Sequence, residues 1–114
     1  MGLFSNSNHE QVKSQILNEI TTINRKVREL ATIMDANGIN VNNHEALLTI
    51  TEDVIMRRNT LSDNFTSLQM KNFSVPWMDG RYLTWGMWDL SFCNCIQMVA
   101  NDLEKFREDY IRNM

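Results

Sequence analysis

Cysteine is scarce in this 114-residue chain: Cys93 and Cys95 are the only two, one residue apart. A small secreted domain held by disulfides carries more cysteines at wider spacing, so that framework is excluded and a reducing cytoplasm is the expected compartment. A long apolar run is also missing. The nearest approach to the about 18 residues of a helical membrane span is Leu83 to Ala100, which Asp89, Asn94 and Gln97 interrupt. The opening Met1-Gly2-Leu3-Phe4-Ser5-Asn6 has neither the basic nor the apolar region of a secretory signal. It begins Met-Gly, but Asn6 stands where an N-myristoylation motif wants Ser or Thr. Charge of one sign is not in excess: 14 acidic and 11 basic residues leave a formal charge of -3. Bulk electrostatics therefore draws the chain neither to nucleic acid nor to acidic lipid, and neither is an expected partner. With only four glycines, it has no Gly-rich phosphate loop.

Apolar residues at helical spacing are what the chain does have. Ile16, Ile23 and Leu30 recur every seven residues, and Ile20, Val27 and Met34 form a second series offset by four. Together they place six side chains on one helical face. Residues 1–7 read as a polar lead, Ser7 and Glu10 have capping-box spacing, and Gly38 can close the helix in the left-handed conformation. After a loop from Ile39 to Asn43, Asn42 and Glu45 repeat the cap-then-acid spacing. Leu47, Val54, Leu61 and Leu68 are again seven apart, with Ile50 and Phe65 in the partner series and Arg57 and Arg58 where apolar residues would be wanted. Thr60 with Asp63 could cap a fresh helix, breaking the segment near Asn59-Thr60 into a four-helix arrangement. The seven-residue phase carries across that point, so one helix is preferred. Residues 73–80 form the second break, since Pro76 disfavours helix at Val75 and Asp79-Gly80 is a turn dipeptide. Trp85, Phe92, Val99 and Phe106 then recur every seven, with Ile96, Leu103 and Tyr110 as partners.

The expected fold is all-α, a single domain over residues 1–114. Three long heptad-patterned helices, over about 8–36, 43–72 and 80–112, form an antiparallel up-down-up bundle with coiled-coil-like packing. No β-hairpin signal is present.

Candidate sites are few. On a helix, Cys93 and Cys95 point to nearly opposite sides and no second pair exists, so core packing is expected for them rather than metal binding. Asp35-Ala36-Asn37-Gly38-Ile39-Asn40 faintly resembles a calcium loop, but its glycine falls fourth rather than sixth. His9 and His44 follow helix caps and have no catalytic constellation around them. Arg25, Lys26 and Arg28 are the one basic cluster, read as a solvated face. No catalytic residue, metal or cofactor is therefore expected, and no enzymatic activity.

The remaining feature is the aromatic stretch from Phe73 to Phe92, which holds all three tryptophans. Trp85 and Phe92 fit the core stripe. Trp77, Met78, Tyr82 and Trp88 exceed what that stripe needs and are the expected partner-binding residues, because Trp, Tyr and Met are favoured interface anchors. The bland reading is a hydrophobic cap closing one end of the bundle. The functional expectation is a non-enzymatic protein-interaction or oligomerisation module, binding another protein or a second copy of itself. The alternative is a sensor-type bundle with an aromatic-lined pocket for a small molecule.

Overall fold

The computed structural model describes residues 2–65 and 71–114. It is mostly helical, with one small antiparallel hairpin: α1 (Gly2–Asn37), α2 (His44–Asn64), β1 (Ser74–Pro76), β2 (Tyr82–Thr84) and α3 (Trp85–Arg112). The molecule measures 64 × 23 × 20 Å. Its long axis follows from α1, whose 36 residues span about 54 Å at the α-helical rise. Among the described residues no helix is long and apolar enough to cross a membrane.

The first helix begins earlier than expected. It runs from Gly2, so the backbone of Ser7 lies inside it and the Ser7/Glu10 pair is not its start. Capping spacing is a local preference, and the main-chain ladder simply continues through it. At the other end Gly38 takes φ 64° and donates its N–H to Met34 O at 2.8 Å, closing the helix. The asparagines that follow fold the connection upon itself. Asn40 Oδ1 accepts from the N–H groups of Asn42 and Asn43, at 2.8 and 3.1 Å. Asn43 Oδ1 accepts from Asn40 N–H at 2.9 Å, and Asn43 Nδ2 donates to Gly38 O at 2.7 Å. Asn43 thus stands at the N-cap of α2 without capping it, because its side chain is engaged in the turn.

Helix α2 passes Asn59-Thr60 without a break, with the Thr60 hydroxyl bonded back to Met56 O at 3.2 Å. It ends at Asn64, however, not near residue 72. Phe65 has left helical geometry at φ -83°, ψ 7°, donates its N–H to Leu61 O and is buried among aromatic rings. Leu68, expected in the same stripe, lies outside the described residues.

The expectation of no hairpin is corrected. β1 and β2 pair with Ser74 opposite Thr84, Val75 opposite Leu83 and Pro76 opposite Tyr82. The turn between them is held by Trp77 N–H to Arg81 O (2.7 Å) and Gly80 N–H to Trp77 O (3.0 Å), and Gly80 takes φ 91°, a conformation that favours glycine. The Asp79 carboxylate accepts from the backbone N–H and the guanidinium of Arg81, which hold its pKa below the usual carboxylate value. Strands of three residues are too short to show an alternating pattern in sequence. The third helix consequently starts at Trp85 rather than about residue 80, with Thr84 Oγ1 capping Met87 N–H at 3.3 Å.

Ion pairs set the helices side by side. Lys26 and Glu19 of α1 meet Asp53 and Arg57 of α2, at 3.0 and 2.6 Å, so the later residue of one helix meets the earlier of the other. Arg58 holds Asp89 of α3 through two bonds of 2.7 and 2.8 Å, while His44 lies against Phe106 near the far end of the same helix pair. Between them the buried residues are Ile16, Ile20, Ile23, Asn24, Val27 and Leu30 of α1, Leu47, Thr51, Val54 and Leu61 of α2, and Trp88, Phe92, Ile96 and Leu103 of α3. The polar Thr51 satisfies its hydroxyl on Leu47 O at 2.8 Å.

Lys26 and then Arg57 hold the Asp53 carboxyl below its ordinary pKa. A carboxyl with a depressed folded pKa contributes stability above its unfolded value, and that contribution is lost as pH falls through the folded value. Asp53→Asn is therefore expected to melt below wild type at pH 7. The two melting curves should converge once the pH falls well below about 4, the unfolded value. Thermal melts across that range check this, and a constant gap between the two proteins would contradict it.

Candidate interaction site

The aromatic rings gather from Phe65, which follows α2, from Phe73 and Trp77 on either side of β1, and from the first turns of α3. Phe73, Phe65, Trp85, Trp88 and Phe92 stack in succession, with centroid separations of 5.3, 4.2, 5.4 and 5.2 Å and interplanar angles of 15°, 5°, 16° and 9°. Trp77 meets Trp88 edge-on at 6.2 Å and 80°, and Lys13 of α1 places its ammonium 5.4 Å from the Phe73 ring. Offset stacks of this kind add about 0.5–1.5 kcal/mol per pair beyond area burial.

Trp88 is fully buried. An indole N–H in such a place needs an acceptor, and Asn24 Oδ1 supplies it at 3.1 Å. Asn24 is itself buried on α1, and its Nδ2 donates to Pro76 O at 2.8 Å. Four residues along α1, Arg28 donates to Met78 O at 3.0 Å. One face of α1 thereby seats the hairpin. Two of the three residues of the basic cluster are engaged, since Lys26 pairs with Asp53 and Arg28 with that carbonyl.

The four expected partner-binding residues separate. Tyr82 is 68% exposed, Trp77 and Met78 are half-buried against the core, and Trp88 is inside it. Trp88 therefore offers no surface to a partner; the half-buried member of the pair is Trp85, which sequence reading placed in the core stripe. The two differ by three residues, about 60° of helical rotation. Centring the apolar arc on Trp88, Phe92, Ile96 and Leu103 turns the opposite face outward. That face carries Met87, Leu90 and Met98, exposed by 53, 57 and 68%. Sequence reasoning named none of these three as a partner-binding residue, although with Asn94 they have 3-4 spacing and lie within an arc of about 80°.

The remaining candidates sort simply. Cys93 is half-buried, with its S–H 3.9 Å from Asp89 Oδ1; burial and then that carboxylate push its pKa up, so it is a poor nucleophile. Cys95 is exposed rather than packed in the core. Among the described residues no group of three or more His, Cys, Asp or Glu could hold a metal. His44 rests on the Phe106 ring, and the His9 side chain lies outside what is described.

The described hollows lie away from the tryptophans. Two overlap between α2 and α3. One of 480 Å³ is lined by Val41, His44, Glu45, Leu48, Arg107 and Tyr110, and one of 330 Å³ reaches Ile55, Ala100 and Leu103. A third of 390 Å³ lies between Met34, Ile39 and Phe106.

Replacing Trp88 by alanine is expected to cost about 3–5 kcal/mol, as for a buried aromatic residue, and Trp85→Ala distinctly less. Asn24→Ala, which strands the Trp88 N–H and removes a donor from Pro76 O, is expected to cost about 1–3 kcal/mol. Urea denaturation of the three variants gives the order directly, and Trp85→Ala proving the most damaging would overturn this account of the core.

No protein-family model, curated protein or solved structure matches the chain.

Proposed function

We propose that this chain is a non-enzymatic helical interaction module, an up-down-up bundle of heptad-packed helices acting in the cytoplasm. Its partner surface is the exposed tyrosine of the hairpin together with the outer face of α3. One observation carries the reading. Between Leu83 and Asn101 the single charged residue is Asp89, which Arg58 occupies, so the outward face bearing Met87, Leu90, Asn94 and Met98 has no charge. Three large apolar side chains on that face stand more than half exposed, and Tyr82 precedes them on β2. Solvent-facing helix surfaces of globular proteins are ordinarily charged, and contiguous exposed apolar patches mark interaction sites. Methionine and tyrosine suit such a role, combining large contact area with adaptable packing or a polar tip.

Met87, Leu90 and Met98 make no part of the buried core, so replacing all three with aspartate is expected to leave the helical circular dichroism spectrum and the melting temperature close to wild type. The same triple variant should lose association, with another protein or with a second copy of the chain, by at least about tenfold per substituted anchor. Sedimentation equilibrium alongside quantitative co-purification measures both forms. A folded variant whose assembly state and bound proteins equal those of wild type would sink the proposal.

A further inference from the structure

Helix α2, with Val41 in the turn before it, carries a second stripe, separate from the one it buries. Val41, Leu48 and Ile55 are seven residues apart, and Glu45 and Glu52, also seven apart, alternate with them. The order 45-48-52-55 is a 3-4 repeat, which aligns these four side chains over about three turns of α2, and Val41 continues the line from the preceding turn. Leu47, Val54 and Leu61 point instead into the core. Leu48 and Ile55 are half-buried and Val41 is 61% exposed.

This stripe is one wall of the two overlapping hollows of 480 and 330 Å³, and Ala100, Leu103, Arg107 and Tyr110 of α3 make the other. One turn past Ile55, the Arg58–Asp89 pair spans the same two helices. The result is an apolar trough bordered by Glu45, Glu52 and Glu104, with Arg107 the one guanidinium lining it. Glu45 and Glu52 are exposed and have no ion-pair partner among the described residues, whereas Arg107 is met by Glu104 at 3.9 Å. On α3 the trough residues Leu103, Arg107 and Tyr110 lie about 100° or more of helical rotation from Met87, Leu90 and Met98, so the trough is centred on a different face from the surface proposed above.

We propose that the trough receives a basic amphipathic helix from a partner protein. Its apolar side chains would lie on Val41, Leu48, Ile55 and Ala100, and its Lys or Arg side chains beside Glu45 and Glu52. The repeat argues for a helix: apolar and acidic positions recur every two turns, about 10.5 Å. An extended strand presents same-face side chains about every 6.6–6.8 Å and would fall out of step. The charge argues for a basic ligand, since an acidic helix would meet Glu45 and Glu52, which no ion pair among the described residues neutralises, while Glu104 already faces Arg107.

The test uses the full chain and a fluorescently labelled 18-residue helical peptide with Leu at the a and d heptad positions and Lys at e and g. Comparison peptides have the same composition in scrambled order, or Glu in place of Lys. Anisotropy titrations at low salt are expected to show the Lys peptide binding at least tenfold tighter than either. Binding should weaken as salt rises through the range where the Debye length falls below about 10 Å. Glu45→Lys with Glu52→Lys, both exposed positions, should reduce affinity for the Lys peptide at least tenfold and raise that for the Glu peptide. Amide chemical shifts on wild type supply a readout independent of any variant: Leu48, Ile55 and Ala100 should move and Met87 and Leu90 should not. Equal binding of ordered and scrambled peptides, indifference to the Glu45/Glu52 reversal, or shifts confined to the Met87–Met98 face would each overturn the proposal.

Discussion

A single carboxamide holds together the end of the molecule where the aromatic rings gather. The Asn24 side chain takes the indole proton of Trp88 with its oxygen and gives a proton to the Pro76 carbonyl with its nitrogen. It therefore ties α1 to α3 and α1 to β1 at once. Trp88 is the largest fully buried side chain, and it could not be placed there with its N–H unmet. Asn24 in turn is tolerable between Ile20, Ile23 and Val27 because its oxygen and one amide hydrogen find partners. Among the described residues no buried side-chain nitrogen or oxygen lacks one. The stack from Phe73 to Phe92 and the seat of the hairpin both depend on this arrangement.

The charged contacts do a different job. The Lys26–Asp53, Glu19–Arg57 and Arg58–Asp89 pairs are partly exposed, in a range where an ion pair is commonly worth no more than about 1 kcal/mol. Their value lies in register, since each matches one turn of a helix with one turn of its neighbour. Arg58 also explains how α2 accommodates a cation where its apolar series would want a hydrophobic residue: it reaches across to Asp89. That contact occupies the one charge of α3 before Asp102, which leaves the outer face of that helix neutral as far as Asn101 while Glu45 and Glu52 on the flank of α2 have no ion-pair partner among the described residues. The two surfaces proposed for partners thus differ in chemistry, one uncharged and one acid-rimmed.

Much of the secondary structure was legible in sequence because it rests on neighbours three or four residues away. The apolar spacing from Ile16 to Leu30 called for α1, Gly38 ended it, and the unbroken phase at Asn59-Thr60 carried α2 forward. The site was less legible. Tyr82 was recognised as available, but Trp88 was assigned to the surface and Met87, Leu90 and Met98 were passed over. Residue type drew attention to the tryptophan, whereas helical phase decides which side chains face outward.

Local periodicity determined that this chain is mostly helical and that its first helix ends at Gly38, since those follow from main-chain bonds spanning four residues. Tertiary structure alone decided where each helix's apolar arc is centred, which tryptophan is buried, that α2 stops at Phe65, and that Ser74–Pro76 pairs with Tyr82–Thr84. Those outcomes depend on partners dozens of residues away, such as Asn24 for Trp88 and Pro76, and Asp89 for Arg58. A hydrophobic period constrains rotation only to about one residue, or 100°. The interior had to satisfy one indole N–H, and that requirement selected the final setting.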